Sequence, residues 1–61
     1  MRIETAPGQA VPNVTLWLTR AEASELRDSL EQMLGDPAPE RHEHVASADY
    51  RTEITVTWER P

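Results

Sequence analysis

"VTLWLTRAEASELRDSLEQMLGDP", residues 14–37, decides how this chain folds. Its first part alternates. Val14, Leu16 and Leu18 fall on one side of an extended backbone, and Thr15 and Trp17 on the other. Period-two alternation of β-branched, aromatic and aliphatic residues predicts a strand at 14–18. The period then changes. Ala23, Leu26, Leu30, Met33 and Leu34 recur at helical spacing and make one apolar stripe, which predicts a helix over residues 20–34. Thr19 and Glu22 have the spacing of a capping box, in which the hydroxyl accepts from the Glu22 amide and the carboxylate accepts from the Thr19 amide. Leu18 and Ala23 stand at the staple positions around that cap. At the far end, Gly35 suits the left-handed position after a helix and Pro37 forbids continuation. Glu25, Asp28, Ser29, Glu31 and Gln32 are assigned to the solvated outer face.

Downstream, "GDPAPERH" (35–42) is a linker with two prolines and no apolar anchor. "HEHVASA" and "TEITVTWE" then predict a hairpin, 42–48 with 52–59. Ile54, Val56 and Trp58 alternate with Thr55, Thr57 and Glu59; Val45 is the firm inward residue of the first strand. A two-residue loop at Asp49–Tyr50 pairs Val45 with Ile54, and a four-residue loop pairs it with Val56. Both registers leave these side chains on one face. Upstream, "MRIET" is a possible extra strand at 2–5, and "APGQAVPN" (6–13) is a loop marked by Pro7, Gly8 and Pro12. The chain is therefore expected to be one small α+β domain over 1–61, of order (β)-β-α-β-β. Its sheet is small and mostly antiparallel, with the last strand between the second and third and one helix packed on one face.

Size limits what such a domain can do. A chain of 61 residues buries only about 60% of the surface its unfolded form exposes, so its core is marginal. Chains this short usually add disulfides, a metal or self-association. There is no cysteine, which removes disulfides and thiolate metal sites. The large apolar residues suffice for one thin layer between sheet and helix, without a deep enclosed pocket. The formal charge of −5 argues against nucleic acid, whose phosphates are neutralised by basic side chains, and would suit a basic protein partner. That leaves an acidic inhibitor or antitoxin-like role as one reading. No apolar run reaches membrane-span length and no signal-peptide pattern is present, so a cytoplasmic location is expected. All six basic residues are arginine, as a GC-rich genome would produce.

One helix covers one face of a sheet, so Thr15, Trp17, Thr55, Thr57, Glu53, His42 and His44 are expected on the bare face. Threonines suit a wet sheet surface. Trp17 does not, and tryptophan is enriched at interface hot spots. Trp17 with Thr15, Thr55 and Thr57 is thus a candidate interface. The competing reading is an indole covered by the 6–13 loop. With the thin core, the interface reading predicts a homodimer, through sheet faces or edge strands.

His42 and His44, two apart on one strand, share a face and could serve as two imidazole ligands. Asp49 and Glu53 are the nearest further donors, and Glu40 can fold back. A zinc site needs three or four ligands. The competing readings are a pH-responsive surface and ordinary cross-strand contacts with Thr55 and Thr57. Catalytic inventory is thin. Ser24 and Ser29 lie on the helix, and Asp28 and Glu31 lie on an open surface. Ser47, His44 and Asp49 would have to converge, although Ser47 and His44 point to opposite faces. No catalytic residue and no cofactor is assigned. The expected function is a small non-enzymatic protein–protein interaction module, with metal binding as an alternative.

"RHEHVASADYRTEITVTWE" (41–59), with "TRAEASELRDSLEQML" (19–34), resembles a group of short uncharacterised actinobacterial proteins sharing an HEHVxSxDYxTEIT-like segment. The resemblance spans most of the chain. It implies an actinobacterial source and a stand-alone small protein, and it carries over no activity and no site residues.

Overall fold

The computed structural model describes residues 1–6 and 8–59. Pro7, expected in the first loop, lies outside the described residues. The element order is β1 (Glu4–Thr5), β2 (Gln9–Ala10), α1 (Arg20–Leu34), β3 (His42–Ala46) and β4 (Glu53–Thr57). This is an α+β fold of order β-β-α-β-β, built among the described residues as two separate two-stranded antiparallel sheets with one helix.

The helix has the bounds its sequence predicts, Arg20–Leu34, and the capping box is formed. The Glu22 amide donates to Thr19 Oγ1 at 3.1 Å, and the Thr19 amide donates to Glu22 Oε1 at 2.9 Å. Two amides that the first turn would leave without partners are thereby satisfied. The other end differs from expectation. Gly35 stays right-handed, at φ −82° and ψ −9°. Termination instead comes from Pro37 and from Asp36, whose carboxylate accepts from the Ala38 amide at 3.3 Å and turns the chain away.

The hairpin is the longer of the two ladders. Val45 stands opposite Ile54, His44 opposite Thr55 and His42 opposite Thr57. That register centres the bend on Asp49–Tyr50. Ser47 and Thr52 are the last residues joined by a backbone bond, at 2.8 Å. The Tyr50 amide donates to the Ser47 carbonyl at 2.9 Å. Tyr50 itself sits at φ +59°, a left-handed conformation that a non-glycine residue reaches at a cost.

Among the described residues, the predicted strand at 14–18 is not part of any ladder; the second strand is Gln9–Ala10, inside the stretch read as a loop. β1 and β2 pair Glu4 with Ala10 and Thr5 with Gln9, and the Val11 amide extends the ladder to the Ile3 carbonyl at 2.9 Å. Gly8 closes this turn at φ +106°, donating to the Thr5 carbonyl. The physical reason is locality. A hairpin closed by a three-residue turn costs little loop entropy, whereas 14–18 must find an edge far along the chain. Nor does β4 lie between two strands; β3 is its sole ladder partner among the described residues.

The core is correspondingly small. α1 packs on β3, and among the described residues the buried apolar side chains are Met33 (3% exposed) and Val45 (4% exposed). Glu22, Leu26 and Ser29 are half-buried on the same side of the helix, so Ser29 belongs to the inner face and not the outer one. The rest of the predicted apolar stripe is uncovered. Ala23, Leu30 and Leu34 are exposed, Leu34 to 75%. A two-stranded hairpin covers a narrower arc of helix than the broad sheet that the stripe anticipates.

Polar contacts fasten the ends. The Trp58 indole donates to the Asp36 carbonyl at 3.3 Å, joining the end of the hairpin to the helix exit. Arg41 lies 2.9 Å from Glu43 and 3.6 Å from Asp36, with its Nε buried and unpartnered. Arg2 bridges Glu4 at 2.7 Å and Glu59 at 3.2 Å. Pairs as exposed as the Arg2 ones contribute about 0–1 kcal/mol each.

Two outcomes follow from this packing. Met33→Ala should cost about 2–5 kcal/mol, most of the stability available to a domain of this size, measured by urea denaturation. Tyr50→Gly should instead stabilise by about 1 kcal/mol, because the left-handed strain exceeds the entropy that glycine loses; the same titration reads the opposite sign.

Candidate functional site

The open face of the β3–β4 hairpin is built by alternation. With Val45, Ile54 and Val56 turned to the helix side, His42, His44, Glu53, Thr55 and Thr57 project from the other. His44 Nδ1 lies 2.7 Å from Glu53 Oε1 and 2.9 Å from Thr55 Oγ1. His42 Nδ1 donates to the Glu40 carbonyl at 3.2 Å. The two imidazoles meet edge to face, with ring centroids 5.0 Å apart. Thr57 Oγ1 donates to the Arg41 carbonyl at 3.0 Å. The cross-strand contact expected between His44 and Thr55 is therefore present. His42 faces Thr57 in register, but each makes its own bond to backbone.

The four candidate metal ligands are brought together only in part. His42, His44 and Glu53 share the face. Asp49 is held at the turn, where its carboxylate accepts from the Ser47 hydroxyl at 2.6 Å and from the Arg51 amide at 3.0 Å. Glu40 contributes its carbonyl to His42. Among the described residues, no group of three or more His, Asp or Glu side chains is arranged to hold a metal ion. The Ser47–His44–Asp49 relay does not assemble either. Ser47 meets Asp49, while His44 turns to Glu53 across the strand.

The candidate interface is also divided. Thr55 and Thr57 are on the open face, but Thr15 and Trp17 are not beside them, because 14–18 never joins the sheet. Trp17 borders a shallow groove with Leu18, Glu22, Val45, Ser47 and Ile54, on the helix side of the hairpin. It is 91% exposed, so the 6–13 loop does not cover it. Val14, Leu16 and Leu18 are exposed as well. The feature the sequence reading missed is therefore a continuous run of uncovered apolar side chains ahead of the helix. Its signal was already present: residues 12–19 contain no charged side chain.

The turn has an electrostatic signature. The hydrogen bond from Ser47, then that from the Arg51 amide, holds the Asp49 carboxyl below the ordinary aspartate value. A depressed value means that the contribution of Asp49 to stability is complete above about pH 4 and is lost as pH falls through the lower folded value. Acid titration followed by NMR should show the Arg51 amide losing its hydrogen-bonded shift in that window. Asp49→Asn should remove the transition.

No helix among the described residues is long and apolar enough to cross a membrane. Neither a protein-family model, nor a curated protein, nor a solved structure matches this chain.

Proposed function

We propose that the chain is a small cytoplasmic, non-enzymatic protein–protein interaction module that works as a homodimer. One observation carries this reading: the single chain leaves too much surface in water. Its accessible area is 5444 Å², against about 4,000 Å² for a compact protein of 6.9 kDa. The radius of gyration, 12.2 Å, likewise exceeds the roughly 10.5 Å of a compact domain this long. The excess, about 1,400 Å² per chain, is of the size that one partner contributes to a permanent dimer. The surplus includes the exposed side chains of Val14, Leu16, Trp17, Leu18, Leu30 and Leu34, four of them in the single run 14–18. Grooves open to solvent, and a hairpin face that brings together two imidazoles and one carboxylate, favour contact over chemistry.

Sedimentation at low micromolar concentration should give twice the chain mass of 6.9 kDa. With Trp58→Phe leaving Trp17 as the sole indole, emission should shift to the blue as concentration rises through the dimerisation range. A monomer with water-exposed Trp17 emission up to the solubility limit overturns the proposal.

A further inference from the structure

We infer that the dimer forms by two-fold antiparallel pairing of the 13–19 segment with the same segment of a second copy, centred on Leu16. This rests on the homodimer reading above and specifies its geometry. The segment has the composition and alternation of a strand, yet no backbone hydrogen bond within the described residues involves residues 12–18. Apart from Thr19, whose amide and carbonyl serve the start of α1, its amide and carbonyl groups are available to a second chain, and its side chains are exposed.

Edge strands that must stay single are blunted by charge or by proline. The outer edges of the β3–β4 hairpin follow that rule, carrying Glu43 and Glu53 and ending at Arg41 and Glu59. Residues 13–19 carry no charge at all, despite a chain charge of −5. They are thus an edge without the usual protection, and the one where two acidic copies meet with the least repulsion.

Register follows from the sequence. Centring on Leu16 sets Leu16 opposite its copy, Val14 opposite Leu18 and Thr15 opposite Trp17. All apolar aliphatic side chains then lie on one face and meet only one another, while Thr15 and Trp17 pair on the other. The ladder stops where it must. Its next pair on either side would be Pro12, which has no amide to donate, and Arg20, the first residue of α1. Centring on Thr15 places Pro12 opposite Leu18, inside the ladder. Centring on Trp17 runs Val14 into the helix at Arg20. A half-step register sets Thr15 opposite Leu16 and Val14 opposite Trp17, and mixes the faces. An isologous pairing of this kind also closes the assembly at two copies.

The chain has no cysteine, so single introduced thiols report the register directly. Directly opposed antiparallel residues lie about 4.5–5.5 Å apart between Cα atoms, within disulfide range. Under mild oxidation, full-length Leu16→Cys should form a disulfide-linked dimer rapidly. Thr15→Cys should do so slowly by itself, but cross-link readily with Trp17→Cys when the two are mixed. Leu16→Lys should weaken dimerisation by roughly a hundredfold or more, with the helical circular dichroism signal retained. A wild-type dimer in which Leu16→Cys fails to cross-link and Leu16→Lys still associates overturns this geometry and leaves the homodimer standing. A wild-type monomer overturns both.

Discussion

Burial of Met33 and Val45 between α1 and β3 is the constraint on which the rest of this molecule depends. Few other side chains leave water, and none of the described polar side chains is fully buried. A helix laid on a two-stranded hairpin removes little apolar surface, while every ordered residue costs conformational entropy. Local devices therefore matter more than they would in a larger domain. The capping box fixes where α1 begins. Asp36 receives the Trp58 indole at its carbonyl and bonds the Ala38 amide through its carboxylate, so one residue ends the helix and anchors the end of the hairpin.

The thin interior also explains which groups remain outside. The covered arc of α1 runs through Glu22, Leu26, Ser29 and Met33, leaving Leu30 and Leu34 in water. The strand-like segment 14–18 stands beyond it. These belong to one pattern, a chain whose apolar residues exceed what its own backbone can enclose. Self-association resolves that excess without a larger core, which small domains lacking disulfides commonly need. Within that excess, residues 13–19 carry no charge.

The open face of the hairpin has a different character. His44, Glu53 and Thr55 are joined by short-range contacts, His42 and Thr57 bond to backbone carbonyls, and the Nδ1 of each imidazole is already engaged. This is a satisfied polar surface. Its members were legible in the sequence, because alternation in a strand assigns faces without further information. Which of them touch was not legible. His44 finds Glu53 and Thr55 because the register places Thr55 opposite it, and a one-residue slip would have turned them apart. Asp49 looked equally close in sequence. The turn claims it through the Ser47 hydroxyl and the Arg51 amide.

By itself, the sequence determined the elements whose partners are near in the chain. These are α1 with its Thr19–Glu22 cap, the hairpin between 42 and 59, the inward placement of Val45, Ile54 and Val56, and the α+β order. Each is set by hydrogen bonds or side-chain periodicity within a few residues. Tertiary structure decided the rest. It left Val14–Leu18 out of both sheets, whereas Gln9–Ala10 became a strand by local pairing with Glu4–Thr5 across a stretch that reads as a loop. It kept Gly35 right-handed, and set Arg41 among Asp36 and Glu43. Those outcomes depend on which distant edge is free and how wide a face lies beneath the helix. A strand pattern records the capacity to pair, whereas the partner is chosen by loop entropy and by surface that only the folded chain presents.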